Sequence, residues 1–174
     1  MLIFSLFLNS LYAGNWPAWR GEDATGSTDS GNYPTELNLK KNLLWKASLP
    51  GKGCSTPIVW QDSLFLTCPI NGEDGVLSFS MNGGKNWQTK IGLQRKGKHL
   101  NGSGSNPSLI TDGRNLYALF KSGNLACLNR GGEILWQKDL SSYGKDTLYW
   151  DFGTSPILSS KHVIVALMRK GNSW

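Results

Sequence analysis

Apolar runs of strand length, separated by glycine-bearing turns, dominate this chain and are clearest between Asn106 and Trp136. Ser108–Thr111, Asn115–Phe120, Asn124–Leu128 and Ile134–Gln137 are too short for helices, and no i, i+3, i+4 apolar stripe runs through them. Between them lie Asp112-Gly113, Ser122-Gly123 and Arg130-Gly131-Gly132. Such turn residues supply the positive φ of tight hairpins, so the pattern predicts that each run folds back antiparallel on the one before. The product is one small four-stranded sheet. Alone, it would leave two apolar faces in water.

The pattern recurs. Ser55-Thr56-Pro57 returns as Ser105-Asn106-Pro107 and as Thr154-Ser155-Pro156, so that Pro57, Pro107 and Pro156 stand 50 and 49 residues apart. Gly83 precedes Trp87 by four residues, as Gly132 precedes Trp136, and both pairs are offset by 49. A period of this length with four strands per unit predicts an all-β fold, a β-propeller of four-stranded antiparallel blades. The chain holds an incomplete ring, about two whole blades plus parts of two others. Leu43-Leu44-Trp45-Lys46 matches Ile134-Leu135-Trp136-Gln137, which predicts an outermost strand of an earlier blade. A last, unfinished blade would leave an edge strand open near Val163–Leu167, so the chain is expected to self-associate.

Residues 1–13 are uncharged and apolar, too short for a membrane helix but suited to a signal peptide ending near Ala13; a buried N-terminal strand is the other reading. No transmembrane segment is expected beyond it, and the chain is expected to be secreted or periplasmic. Residues 14–42 form an extended lead-in segment with Trp16 and Trp19, and the partial propeller occupies 43–174. In an oxidising compartment Cys54 and Cys68, which bracket the predicted hairpin Pro57–Trp60/Leu64–Thr67, could form a disulfide or remain two small buried thiols. Cys127 is expected to be buried within its strand. There is no C-x-x-C, and no metal site is expected.

The segments NWPAWRG at 15–21, GKGCSTPIVWQDSLFLT at 51–67, TDGRNLYALFKSGNLACLN at 111–129 and LNRGGEILW at 128–136 resemble the repeats of PQQ-like β-propeller proteins, in a secreted branch whose mature chains open with W-P-x-W-R-G. The resemblance runs over about residues 15–167. It implies the fold and leaves the activity open, because this fold carries unrelated functions. Quinoprotein dehydrogenases of the same fold use PQQ with calcium, a catalytic Asp and commonly two adjacent cysteines; here Cys54 stands where the branch often has His, and no Cys-Cys pair occurs.

Composition narrows the function further. The net charge of +6 comes from 18 Lys and Arg that are scattered except for Arg95, Lys96 and Lys98, which reads as an ordinary basic surface and not a nucleic-acid track. Only His99 and His162 could supply imidazole, the latter expected in a solvated turn, and no nucleophile or phosphate-loop motif appears. The links from Trp87 to Pro107 and from Trp136 to Pro156 are each 20 residues long and should emerge on one face. They would bring His99, Asn101, Trp150 and Asp151 together, rimmed by Arg95, Lys96 and Lys98, in a set suited to a protein or carbohydrate partner. The alternative is that Trp150 docks between blades and His99 caps a loop; Asp151 by itself reads first as an exposed structural residue, and otherwise as an acid or a hydrogen-bond acceptor. These observations favour an extracytoplasmic binding or scaffolding module with no cofactor and no catalytic residue; the alternative is the N-terminal part of a PQQ-dependent, quinoprotein-type oxidoreductase.

Overall fold

The computed structural model describes residues 14–28, 31, 33–36, 38–143 and 149–167; the expected signal segment lies outside them. Two four-stranded antiparallel sheets follow one another along the chain. The first contains β1 (Ile58–Trp60), β2 (Ser63–Thr67), β3 (Glu73–Ser80) and β4 (Lys85–Leu93), paired in sequence order. The second contains β5 (Ile110–Thr111), β6 (Asn115–Leu119), β7 (Asn124–Asn129) and β8 (Ile134–Asp139), again in order. A hairpin of β9 (Ile157–Ser159) and β10 (His162–Ile164) opens a third unit. The only helix among the described residues is a 3-10 turn at Ser141–Tyr143.

The first hairpin has the same register in each unit: Ile58 faces Phe65, Ile110 faces Tyr117 and Ile157 faces Ile164. That register revises the repeat. The equivalent first strands begin 52 and 47 residues apart, so Pro57 and Pro156 immediately precede theirs while Pro107 lies two residues out of phase. Part of the difference lies in the turn between the second and third strands. Eight residues, Cys68–Gly75, separate the pair Thr67–Val76, against five, Phe120–Asn124, between Leu119 and Leu125. The equivalent inner positions are Thr56, Ser108 and Ser155, and they are bonded in series. The Thr56 amide donates to Ser108 Oγ at 2.8 Å, and the Ser108 amide to Ser155 Oγ at 2.9 Å.

The blades bury each other. Ile58, Phe65, Val76 and Ile91 of the first sheet form one core with Leu109, Leu116, Ala118, Phe120, Ala126 and Leu128 of the second. Each fully buried aliphatic or aromatic side chain of this kind stabilises by roughly 1.5–3 kcal/mol, which neither sheet could gain alone. Leu119, Leu125 and Phe152 pack on Leu167 beside the third hairpin. The lead-in segment lies against the inner strands: Trp16 exchanges backbone bonds with Val59, and the Thr111 amide donates to Pro17 O.

Tryptophan and glycine lock this packing in the same way at two junctions. The third-to-fourth strand turns place Gly83 at φ 88° and Gly132 at φ 90°, closing three-residue loops with a bulge. Trp45 lies on Gly83 and its Nε1 donates to Met81 O at 2.8 Å; Trp87 lies on Gly132 and its Nε1 donates to Arg130 O at 3.0 Å. A Cβ on either glycine would stand 2.6 Å from the indole above it. Leu43–Lys46 is not in a strand as its likeness to Ile134–Gln137 led one to expect; among the described residues it pairs with no other strand. Trp45 nevertheless occupies the place of an outer-strand tryptophan. Trp136, on the exposed strand β8, packs beside Tyr117.

The Cys54–Cys68 disulfide is not formed; all three cysteines are free. Continuing the β1–β2 register sets Cys68 against Ser55, and Ser55 Oγ indeed bonds both backbone groups of Thr67. A one-residue offset sends the two thiols to opposite faces. Cys54 Sγ is directed to Asn101 O at 3.4 Å, and buried Cys68 Sγ to Gly51 O at 3.1 Å. Cys127 is buried in β7, as expected.

Adjacent glycines in one turn test the docking. Gly132→Ala must place a Cβ at positive φ and against Trp87, whereas Gly131→Ala meets only Asn129 Oδ1 at 3.3 Å. Thermal melts should show a loss of about 2 kcal/mol or more for the first and well under about 1 kcal/mol for the second. Equal losses would mean that the indole does not lock the blades.

Candidate functional site

The two long links meet on one face because a single carboxylate ties them. Asp151, in the link that follows β8, accepts the Lys98 amide at 2.8 and 2.9 Å and the His99 amide at 3.1 Å from the link that follows β4. Lys121, in the β6–β7 turn, pairs with the same carboxylate and donates to Lys96 O at 2.9 Å. The Lys121 side chain is 0% exposed and that of Asp151 4%. Burial works against the Asp151 charge, but the Lys121 ammonium and the two amides outweigh it and hold its pKa below the usual carboxylate value. Asp151 is therefore a buried hub and not an exposed structural residue. Asn106 adds a second tie, donating from Nδ2 to Phe152 O at 3.2 Å.

This frame presents rings to solvent. His99 and Trp150 lie 5.3 Å apart between centroids, and Tyr149 meets Trp150 edge-on at 4.8 Å. Trp150 is 63% exposed and does not dock between the two sheets, and Leu100, next to His99 in sequence, is 83% exposed. The Asn101 amide donates to His99 Nδ1 at 3.2 Å, fixing the loop that carries the imidazole. His99, Asn101, Trp150 and Asp151 thus lie on one face of this frame. Lys96 and Lys98 are exposed beside them and line a cavity of about 570 Å³ with Lys52, His99 and the backbone of Gly97 and Gly102. Arg95 belongs to the same loop but does not line that cavity. His162 is the exposed first residue of β10 and not a turn residue.

Sequence reasoning missed Lys121, Tyr149 and Leu100. Lys121 reads as an ordinary turn lysine, and nothing local marks a partner thirty residues away. It also missed Asp74, which is fully buried at the junction of the two sheets, accepting Ser122 Oγ at 2.5 Å and Asn124 Nδ2 at 2.9 Å on Oδ2. Its Oδ1 has no partner, and burial pushes its pKa up to about 6 despite the two donors. Among the described residues no three His, Cys, Asp or Glu side chains converge as metal ligands. No helix of the described residues is long and apolar enough to cross a membrane.

A family model described as outer membrane protein assembly factor BamB matches residues 35–171, most of the chain. The chain belongs to this family of PQQ-like repeats. Among solved structures, BamB from Moraxella catarrhalis is similar at 16% identity and a TM-score of 0.41, over 60% of this chain and 26% of that one. The chain thus spans about a quarter of that structure. No curated protein matches it.

Two substitutions probe the site. Lys121→Met leaves the Asp151 charge buried with backbone donors alone, and should cost about 3 kcal/mol and speed hydrogen exchange at the Lys98 and His99 amides. Unchanged exchange would show that the ion pair does not hold the loops. At Asp74 the folded pKa, about 6, exceeds the ordinary 3.8, so the unfolded chain releases its proton first. Its contribution is fully present below the unfolded value and is lost as pH rises from about 4 through about 6, by about 3 kcal/mol in all. Asp74→Asn should flatten that part of a stability–pH curve. A slope that persists in the variant assigns it to another group.

Proposed function

We propose that this chain is the protein-binding part of an extracytoplasmic propeller, with the loop face around Trp150 as its contact surface. The observation that carries the reading is an aromatic platform, His99, Tyr149 and Trp150, held open to solvent by a buried ion pair. A large aromatic left 63% exposed gains nothing for the fold, whereas such residues on rigid loops supply much of the energy of protein interfaces. Membership of a family described as an outer membrane protein assembly factor, together with the uncharged, apolar composition of residues 1–13, supports a place outside the cytoplasm. The chemistry also suits a sugar ring, but the family description favours a protein.

A photo-crosslinking residue in place of Tyr149 should trap one protein from an extracytoplasmic extract. Trp150→Ala should abolish capture while leaving the melting temperature within a few degrees. Capture that survives the substitution moves the contact surface elsewhere, and loss of folding places Trp150 in the core. Adding PQQ with calcium is expected to leave absorption and melting unchanged; a saturable shift at micromolar concentration would replace the scaffold reading with a quinoprotein one.

A further inference from the structure

The cavity beside the aromatic platform is built for negative charge. Lys52, Lys96 and Lys98 line it with His99, and no Asp or Glu is among the described residues that do so. Of the carboxylates next to lining residues, Asp151 is buried and already paired with Lys121 and two amides, and Glu73, adjacent to Gly72, is paired with Lys90. Lys52 donates to Leu100 O, which fixes one cation at the wall where the exposed Leu100 stands. His99 lines the cavity, and its ring also abuts Trp150, so the basic pocket and the aromatic platform are one continuous surface.

We propose that this surface binds an extended acidic polypeptide, its carboxylates in the Lys52–Lys96–Lys98 pocket and an apolar or aromatic side chain of the same segment on Trp150. The inference rests on the protein-binding reading and names the partner's chemistry. Cations lining one cavity, while the remaining Lys and Arg apart from Arg95 are scattered, fit a short run of carboxylates better than a long polyanion, which needs a track. The rings of Tyr149 and Trp150 meet at 89°, and so do not offer the successive parallel faces on which bases of a single strand stack. Exposed Leu100 and Trp150 at the rim add apolar contact that a free phosphate or carboxylate would not use.

The test uses the full chain and a fluorescent synthetic peptide with glutamates on both sides of one phenylalanine, read by anisotropy. Wild type should bind it saturably and ignore the lysine counterpart. Lys96→Glu with Lys98→Glu should weaken binding by at least about tenfold, and so should raising salt from about 0.05 to about 0.5 M, because exposed charges are screened over a Debye length of about 10 Å or less. Melting is measured alongside; if the reversed variant melts differently from wild type, Lys96→Gln with Lys98→Gln serves in its place. Equal binding by the reversed variant overturns the proposal. So does equally tight saturation by inorganic phosphate, by an oligonucleotide or by anionic vesicles in place of the peptide. If Trp150→Ala abolishes capture of the protein partner but charge reversal leaves it intact, the face binds protein and the acidic chemistry is wrong. If neither substitution matters, the contact-surface reading fails with it.

Discussion

An antiparallel sheet of four short strands has two apolar faces and no way of covering either by itself, and that constraint organises the molecule. The solution is stacking, and the indole that lies on a turn's glycine fixes how closely the neighbouring segment and that sheet can approach. Trp45 on Gly83 and Trp87 on Gly132 do the same thing with the same hydrogen bond to the carbonyl two residues before the glycine. Because the glycine is needed both for positive φ and for lack of a Cβ, turn geometry and interblade packing are one requirement. The core shared by the two sheets follows from that contact, and the loop face follows from the core.

On that face a different kind of bond takes over. The links between blades have few apolar residues to bury, so their conformation is held by the Asp151 carboxylate and its donors from two other segments. A buried ion pair is an indifferent source of stability compared with an apolar contact of equal volume, but it is selective about geometry. Here it sets where His99 and Trp150 stand, and so sets the shape of the surface offered to a partner.

Strand order, turn positions and the blade architecture were legible because glycine spacing and short apolar runs act locally. Ser108–Thr111 through Ile134–Gln137 appear as β5 to β8 with shifts of one or two residues at their ends. The prolines misled slightly, since Pro107 sits two residues further from its strand than Pro57 does and a longer turn in the first blade compensates. The loop face was legible in part: equal link lengths placed His99 near Trp150, but no local pattern announces that Lys121 will reach Asp151. The cysteines show the limit of spacing arguments. Cys54 and Cys68 flank a hairpin as bridged residues would, and a single residue of register puts them on opposite faces.

Two aspartates bridge distant parts of this chain, and their environments separate scaffold from surface. Asp151 has a cation and two amides, and its pKa is depressed; Asp74 has a hydroxyl and an amide side chain on one oxygen, nothing on the other, and its pKa is raised to about 6. The difference is one of partners and not of burial alone, since neutral donors offset desolvation less than an ammonium does. The loop face therefore keeps its ionised tie throughout the neutral range. The seam between the two sheets instead carries a carboxylate whose pKa is raised to about 6, so that protonating it below that pH favours the junction. Acidity near pH 6 thus acts on the cohesion of the blades, while the geometry of the binding face is set by a group that does not titrate there.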